Sequence, residues 1–141
     1  MFFSAKSGHL ILAVNARTAV NPNLVERVEV PYVRNTNSEW RTDFSAISPY
    51  STEISPNLKK ARNGHFIEAN KKLRNELKNN EDLRTRLNLS DKAMEIVNGT
   101  EGISPKPYTW DHVNGQGKMS LVDSWIHGLF LHEGGFSEWH T

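Results

Sequence analysis

The sequence predicts a mixed α+β fold. An extended amino-terminal part gives way to helices and then to a β-hairpin that runs into a short helix. His9-Leu-Ile-Leu-Ala-Val14 is a short apolar run, and Val28, Val30 and Tyr32 alternate with Glu29 and Pro31, the period-two pattern of strands. Phe66, Ala69, Leu73 and Leu77 recur at helical spacing, with Lys71, Lys72, Arg74 and Lys78 mainly on other faces. Tyr108-Thr109-Trp110 favours a strand, Asn114-Gly115-Gln116-Gly117 is turn chemistry, and Met119, Leu121 and Val122 resume an extended apolar run.

The chain has 141 residues, 37% of them apolar, and reads as a single domain over 1–141. A chain of this size buries roughly two-thirds of its unfolded surface, so it needs neither metal nor disulfides merely to fold. Any metal would therefore serve chemistry. The absence of cysteine excludes thiol nucleophiles, disulfide frameworks and Cys-type zinc sites. The longest apolar run, Leu10 to Val14, falls far short of the roughly 20 residues that span a bilayer, so no membrane partner is expected.

Three parts follow one another: residues 1–54 extended or irregular, 55–100 helical, and 105–141 the hairpin and its helix. Pro31, lacking an N–H, suggests an edge position for its strand. From Arg34 to Pro56 the composition turns to Asn, Thr, Ser and Pro without a sustained period, which reads as a long loop pinned by Trp40, Phe44 and Tyr50. Ser55-Pro56 is a helix start, and Gly64 interrupts, leaving either one bent helix or two. Asn79-Asn80 ends that helix, a second covers Glu81 to Leu87, and Ser90 or Asp91 caps a third that stops at Asn98-Gly99. Asp123 or Ser124 caps the last helix, which carries Trp125, Ile126, Leu129 and Phe130 inward, with His127 near its beginning and His132 just past its end. Trp110, Trp125 and Trp139 read as core packing rather than base-stacking residues.

The net charge of +1, from 17 basic and 16 acidic side chains, conceals an uneven distribution. Residues 59–86 carry a net +5 and residues 101–141 a net −3. The basic segment, with Arg62, Lys71, Lys72 and Arg74, is either a phosphate-contacting surface giving salt-dependent affinity or a solvated helix face, since Glu68, Glu76, Glu81 and Asp82 are interleaved.

Four of the six histidines lie after residue 110. A hairpin packed on a helix, with Asp111-His112 at the end of its first strand and His127 on the helix, brings one carboxylate and two or three imidazoles together. Such ligands suit Mg²⁺, Mn²⁺, Ni²⁺ or Zn²⁺. Adjacent strand residues point to opposite faces, so Asp111 and His112 cannot play the same part. One binds metal while its neighbour handles a proton.

These residues also carry a resemblance. Tyr108-Thr109-Trp110-Asp111-His112, Gly117-Lys118-Met119-Ser120-Leu121-Val122, His127 and His132-Glu133-Gly134-Gly135, ending at Trp139, are similar to the motif of the HNH/endonuclease VII superfamily of nucleases, in its bacterial polymorphic-toxin branch. Arg62, Phe66-Ile67-Glu68-Ala69-Asn70 and Asp43-Phe44 extend the likeness thinly upstream. The chain departs from the motif twice. Asp111 stands where the branch has the first His of Trp-His-His, as in HNH nucleases outside the branch, and Lys118 falls near the middle Asn of the wider pattern.

The resemblance implies a ββα-metal (His-Me finger) nuclease core at the carboxyl-terminal end and hydrolysis of a phosphodiester with one divalent ion. By that likeness Asp111, His127 and His132 ligate the ion, His112 is the general base, and Lys118 or Arg62 adds positive charge. Other branches use a Gly-His motif, which Gly64-His65 matches, although a helix interruption also accounts for that pair. The implied substrate is DNA, with RNA as the alternative, and a catalytically degenerate metal-binding or interaction module is the non-enzymatic reading. Such domains are delivered as part of a longer parent polypeptide exported from the producing bacterium. They act in the target-cell cytoplasm and are restrained in the producer by a cognate immunity protein.

Overall fold

Alternation in the amino-terminal part builds a four-stranded antiparallel sheet of β1 (Phe2–Lys6), β2 (His9–Ala16), β3 (Glu26–Arg34) and β4 (Trp40–Thr42), in that spatial order. The computed structural model describes residues 2–6, 9–34, 40–55, 62–113 and 117–133, with the side chains of 2–6, 9, 62 and 131–133 left aside. Pairing of Leu12 with Val30 and of Val14 with Val28 puts the even-numbered apolar residues on one face. Leu12, Val30 and Tyr32 are buried there.

Pro31 does not mark an edge. Strand β3 lies between β2 and β4, and the Pro31 carbonyl accepts from the Asp43 amide at 2.9 Å on the β4 side. The missing donor falls where β4 has already ended at Thr42, so no ladder bond is lost.

The expected long loop from Arg34 to Pro56 is largely ordered instead. Within it lie β4, a 3₁₀ turn at Phe44–Ala46 and β5 (Tyr50–Glu53). These strands are only three and four residues long, too short to display a period. Their places are set by partners distant in sequence: Tyr32 opposite Thr42, and Tyr50 opposite Leu121.

The helical part comprises α1 (Arg62–Asn79), α2 (Glu81–Leu87) and α3 (Asp91–Asn98). The helix start expected at Ser55-Pro56 involves residues outside those described. Gly64 does not interrupt: α1 runs continuously through it. Phe66, Ala69, Leu73 and Leu77 are all buried, as their spacing requires. Asn80 caps α2 by accepting from the Leu83 amide, and Ser90 caps α3 by accepting from Ala93.

A second, three-stranded antiparallel sheet has the order β5-β7-β6, with β6 spanning Tyr108–Val113 and β7 spanning Lys118–Asp123. One face carries Tyr108, Trp110, Met119 and Leu121 into a core shared with α1 and α2. The other carries Val122 toward Ile126 and Phe130 of α4 (Ser124–Glu133), in a core shared with Leu12, Val30 and Phe44. Ile126 and Phe130, four residues apart, form the inward face of α4. Trp125 does not join them: it lies about 100° round the helix and is 53% exposed. The expectation that it packs in the core is therefore corrected.

Asp123 joins these layers. Its carboxylate accepts from the Trp125 and Ile126 amides at 3.0 and 3.1 Å, capping α4, and from the Ala19 and Val20 amides at 3.0 and 2.9 Å. One side chain thus fixes the start of α4 to the turn after β2. Asp123→Ala is expected to cost about 2 to 3 kcal/mol, through a lost cap and lost charge-assisted bonds. The check is a lower urea midpoint at unchanged m-value.

Candidate active site

Strand β6 is an end strand of its sheet, and its alternation divides the chemistry. Asp111 pairs in register with Ser120 and faces α4, whereas His112 pairs with Met119 and faces α1. On the α4 side, His127 Nε2 lies 3.0 Å from Asp111 Oδ1, with the two side chains 21% and 19% exposed. The Phe44 ring packs over the His127 imidazole, centroids 4.8 Å apart, and stands edge-on to Phe130. His127 is thereby held by an aromatic neighbour on one side and a carboxylate on another. Beneath them, the buried Ser120 hydroxyl bonds that of Ser51 at 2.8 Å.

On the α1 side, His112 Nε2 lies 2.9 Å from His65 Nδ1, with the rings near perpendicular. Such a bond needs one N–H and one lone pair, so the two imidazoles share a single proton between them. Phe66 packs beside His112 at 6.0 Å. The sequence reading treated Gly64-His65 mainly as an interruption. The structure sets His65 in the first turn of α1, in contact with His112.

The other expected residues are distributed as follows. Lys118 is on β7, two residues before Ser120 and so on the Asp111 face. Lys71 and Lys72 are exposed on α1; Lys72 is seven residues from His65, on the same side of the helix and about 10 Å along it. The Arg74 guanidinium donates to the Val97 carbonyl at 3.4 Å, which places it at the carboxyl end of α3. Arg62 opens α1 and His132 lies in the last turn of α4, and the side chains of both are outside the described residues.

The donor set fits a divalent ion in chemical type. The 3.0 Å separation itself is that of a hydrogen bond between the His127 imidazole and the Asp111 carboxylate, both of which are donor types that bind divalent ions. No group of three or more such side chains converges among the described residues.

What holds β6 in place was not read from the sequence. Asn70, 1% exposed on the apolar side of α1, accepts from the Trp110 indole N–H at 2.8 Å and donates to the Ile103 carbonyl at 2.8 Å. One helical turn pair earlier, Asn63 donates to the Glu101 carbonyl, and Gly102, at φ +68°, comes so close to Asn63 that a Cβ would meet it at 2.6 Å. The Ser104 hydroxyl accepts from the Trp110 amide at 3.0 Å. The available signal was an asparagine in register with Phe66, Leu73 and Leu77, a polar residue on an apolar stripe. Tyr108 adds a further tie to the helical part by donating to the Leu87 carbonyl at 3.2 Å. Burial, with the Asp123 carboxylate adding to it, pushes its phenol above the ordinary tyrosine value, so it stays a donor.

With this geometry in view, comparison with known proteins is informative. Residues 100–141 match the model of a family described as a nuclease of the HNH/ENDO VII superfamily with conserved WHH. This segment is similar to the HNH/endonuclease VII superfamily of nucleases. No curated protein and no solved structure matches the chain. The matched segment contains Trp110, Asp111, His112 and His127. His65, Asn70 and Phe44, which contact its site residues, come from outside the matched segment.

Removing Asn70 leaves a buried indole N–H and a carbonyl unpaired. Asn70→Ala is expected to destabilise the fold by about 2 kcal/mol or more, while Asn70→Gln recovers only part of the loss because the amide is displaced by a methylene. Urea unfolding of both variants checks this.

Proposed function

We propose that the chain is a metal-dependent endonuclease that hydrolyses phosphodiester bonds of DNA, with β6, β7 and α4 serving as its ββα-metal core. The observation that carries this reading is the Asp111 and His127 pair at 3.0 Å, inside the nuclease segment and adjacent in sequence to His112. Asp111 and His127 hold the divalent ion, with His132 as third ligand. A bound divalent ion supplies charge neutralisation at the phosphate and stabilisation of the leaving oxygen.

His112 accepts a proton from the attacking water at Nδ1, the nitrogen that does not face His65, and His65 fixes the ring and its tautomer by accepting from the His112 Nε2–H at its own Nδ1. Because β6 is an end strand among the described residues, no neighbouring strand separates its two faces along the outer edge. A phosphate lying against that edge is within reach of Asp111 on one side and His112 on the other. Lys118 adds positive charge on the Asp111 face, and Lys72 extends a basic track along α1 from His65, where Arg62 and Lys71 also contribute. Arg74, engaged at the end of α3, is left a structural part rather than a phosphate contact.

The biological setting that fits is that of a toxin module in interbacterial competition. It is carried on a longer exported polypeptide, acts in the cytoplasm of the target cell and is restrained by an immunity protein. Described helices offer no segment long and apolar enough to cross a membrane.

Supercoiled plasmid incubated with the protein and Mg²⁺ or Mn²⁺ is expected to be nicked and linearised, and EDTA to stop the reaction. His112→Ala should lower the rate by about a hundredfold or more, Asp111→Ala comparably, and His65→Ala by a smaller factor. Total RNA run in parallel separates a DNase from an RNase. Plasmid and RNA left intact under every metal tested would sink the enzymatic reading in favour of an interaction module. In bacterial cells, expression of the unmodified chain should arrest growth and His112→Ala should relieve the arrest; equal growth of the two removes the toxin role.

A further inference from the structure

A groove of ≈ 770 Å³ lies where the start of α4, the first residues of β6 and the amino-terminal half of α3 meet. Trp125 lines it while remaining 53% exposed, an unusual position for the largest apolar side chain. Ile103, 44% exposed, and Ile96 extend the apolar wall. Lys92 and Lys106, both exposed, are its charged residues, and no carboxylate is among the described residues that line it. The nearby Asp123 carboxylate is engaged by four backbone amides, two of them from the first turn of α4. The attraction for an anion therefore comes from the two lysines, not from the helix end.

The groove shares strand β6 with the proposed site. Thr109 lines it and lies two residues before Asp111 on the same face of β6, a displacement of about 7 Å. A strand whose phosphate is at Asp111 thus runs naturally toward Trp125. An aromatic face beside two cations is the combination that holds single-stranded nucleic acid, by stacking a base and contacting the flanking phosphates. In a duplex both faces of a base are already covered by its neighbours, so the occupant is unpaired.

We propose that this groove is a subsite for one unpaired base of the nucleic-acid substrate, stacked on Trp125 and flanked by phosphates on Lys92 and Lys106. The inference rests on the nuclease reading above and adds to it a preference for single-stranded or frayed segments.

The test measures binding and hydrolysis separately. A fluorescein-labelled oligothymidylate about ten nucleotides long is titrated, by anisotropy, into His112→Ala protein with and without a second substitution. Trp125→Ala is expected to weaken binding about tenfold, and Trp125→Phe to restore most of it. Lys92→Gln and Lys106→Gln should each lower the salt dependence of log K by about 0.7. Hydrolysis of bis(p-nitrophenyl) phosphate, too small to span from Asp111 into the groove, should be equal in unmodified and Trp125→Ala protein. Unchanged oligonucleotide affinity in Trp125→Ala overturns the proposal and leaves the groove to a protein partner. Failure of the unmodified protein to hydrolyse the small diester in any metal counts against the nuclease reading, whereas the binding titration judges the groove by itself.

Discussion

A β-strand cannot show two adjacent side chains to the same side, and the site is organised around that constraint. Asp111 and His112 are neighbours on β6, yet one contacts His127 and the other His65. Each therefore needs its own support: Phe44, α4 and Ser120 below Asp111, and α1 with Phe66 beside His112. On the function proposed above, the two kinds of chemistry, holding a cation and moving a proton, are kept apart by the thickness of a single strand. A protonated imidazole and a cation repel at short range, so this partition lets both operate next to one phosphate.

The partition works only if β6 is held rigidly. Its first half is secured by Asn70 and Ser104 on Trp110 and by Tyr108 on Leu87. All of these are side-chain bonds in largely dry surroundings, where a satisfied polar group is strongly directional and an unsatisfied one is costly. Asn63 and Asn70, seven residues apart on α1, donate to the Glu101 and Ile103 carbonyls of the loop that enters the strand. The helix that carries His65 thus also aligns the strand that carries His112, and the 2.9 Å contact between them follows from one rigid unit.

How much of this was legible follows from where each signal resides. Helices α1 to α3 and the hairpin were readable because their periods and caps are local: Asn80, Ser90 and Asp123 each bond amides two or three residues downstream. The short strands β4 and β5 were not, since their places depend on Tyr32 and Leu121, far away in sequence. Gly64 was misread as a break because helix propensity is a weak prior that packing of Phe66 and Ala69 overrides. The helical spacing of Trp125, Ile126, Leu129 and Phe130 defines an apolar face wider than the one that is buried, which centres on Ile126 and Phe130 and leaves Trp125 at its margin. In the candidate site, the residue types and spacing brought Asp111 and His127 together, and the structure places them in contact. The partnership of His65 with His112 was missed, because nothing along the chain connects residues 47 positions apart.

The bond from Asp123 to the Ala19 and Val20 amides carries a consequence for inheritance. The matched nuclease segment begins at residue 100, but the inner side of its helix rests on Leu12, Val30 and Phe44, and its cap is shared with the turn after β2. Exchange of that segment between related chains by recombination would carry across Asp111 and His127 but not the surface they lean on. A viable chimera must therefore bring a matching amino-terminal sheet, so the matched segment and that sheet are expected to travel together as one heritable block.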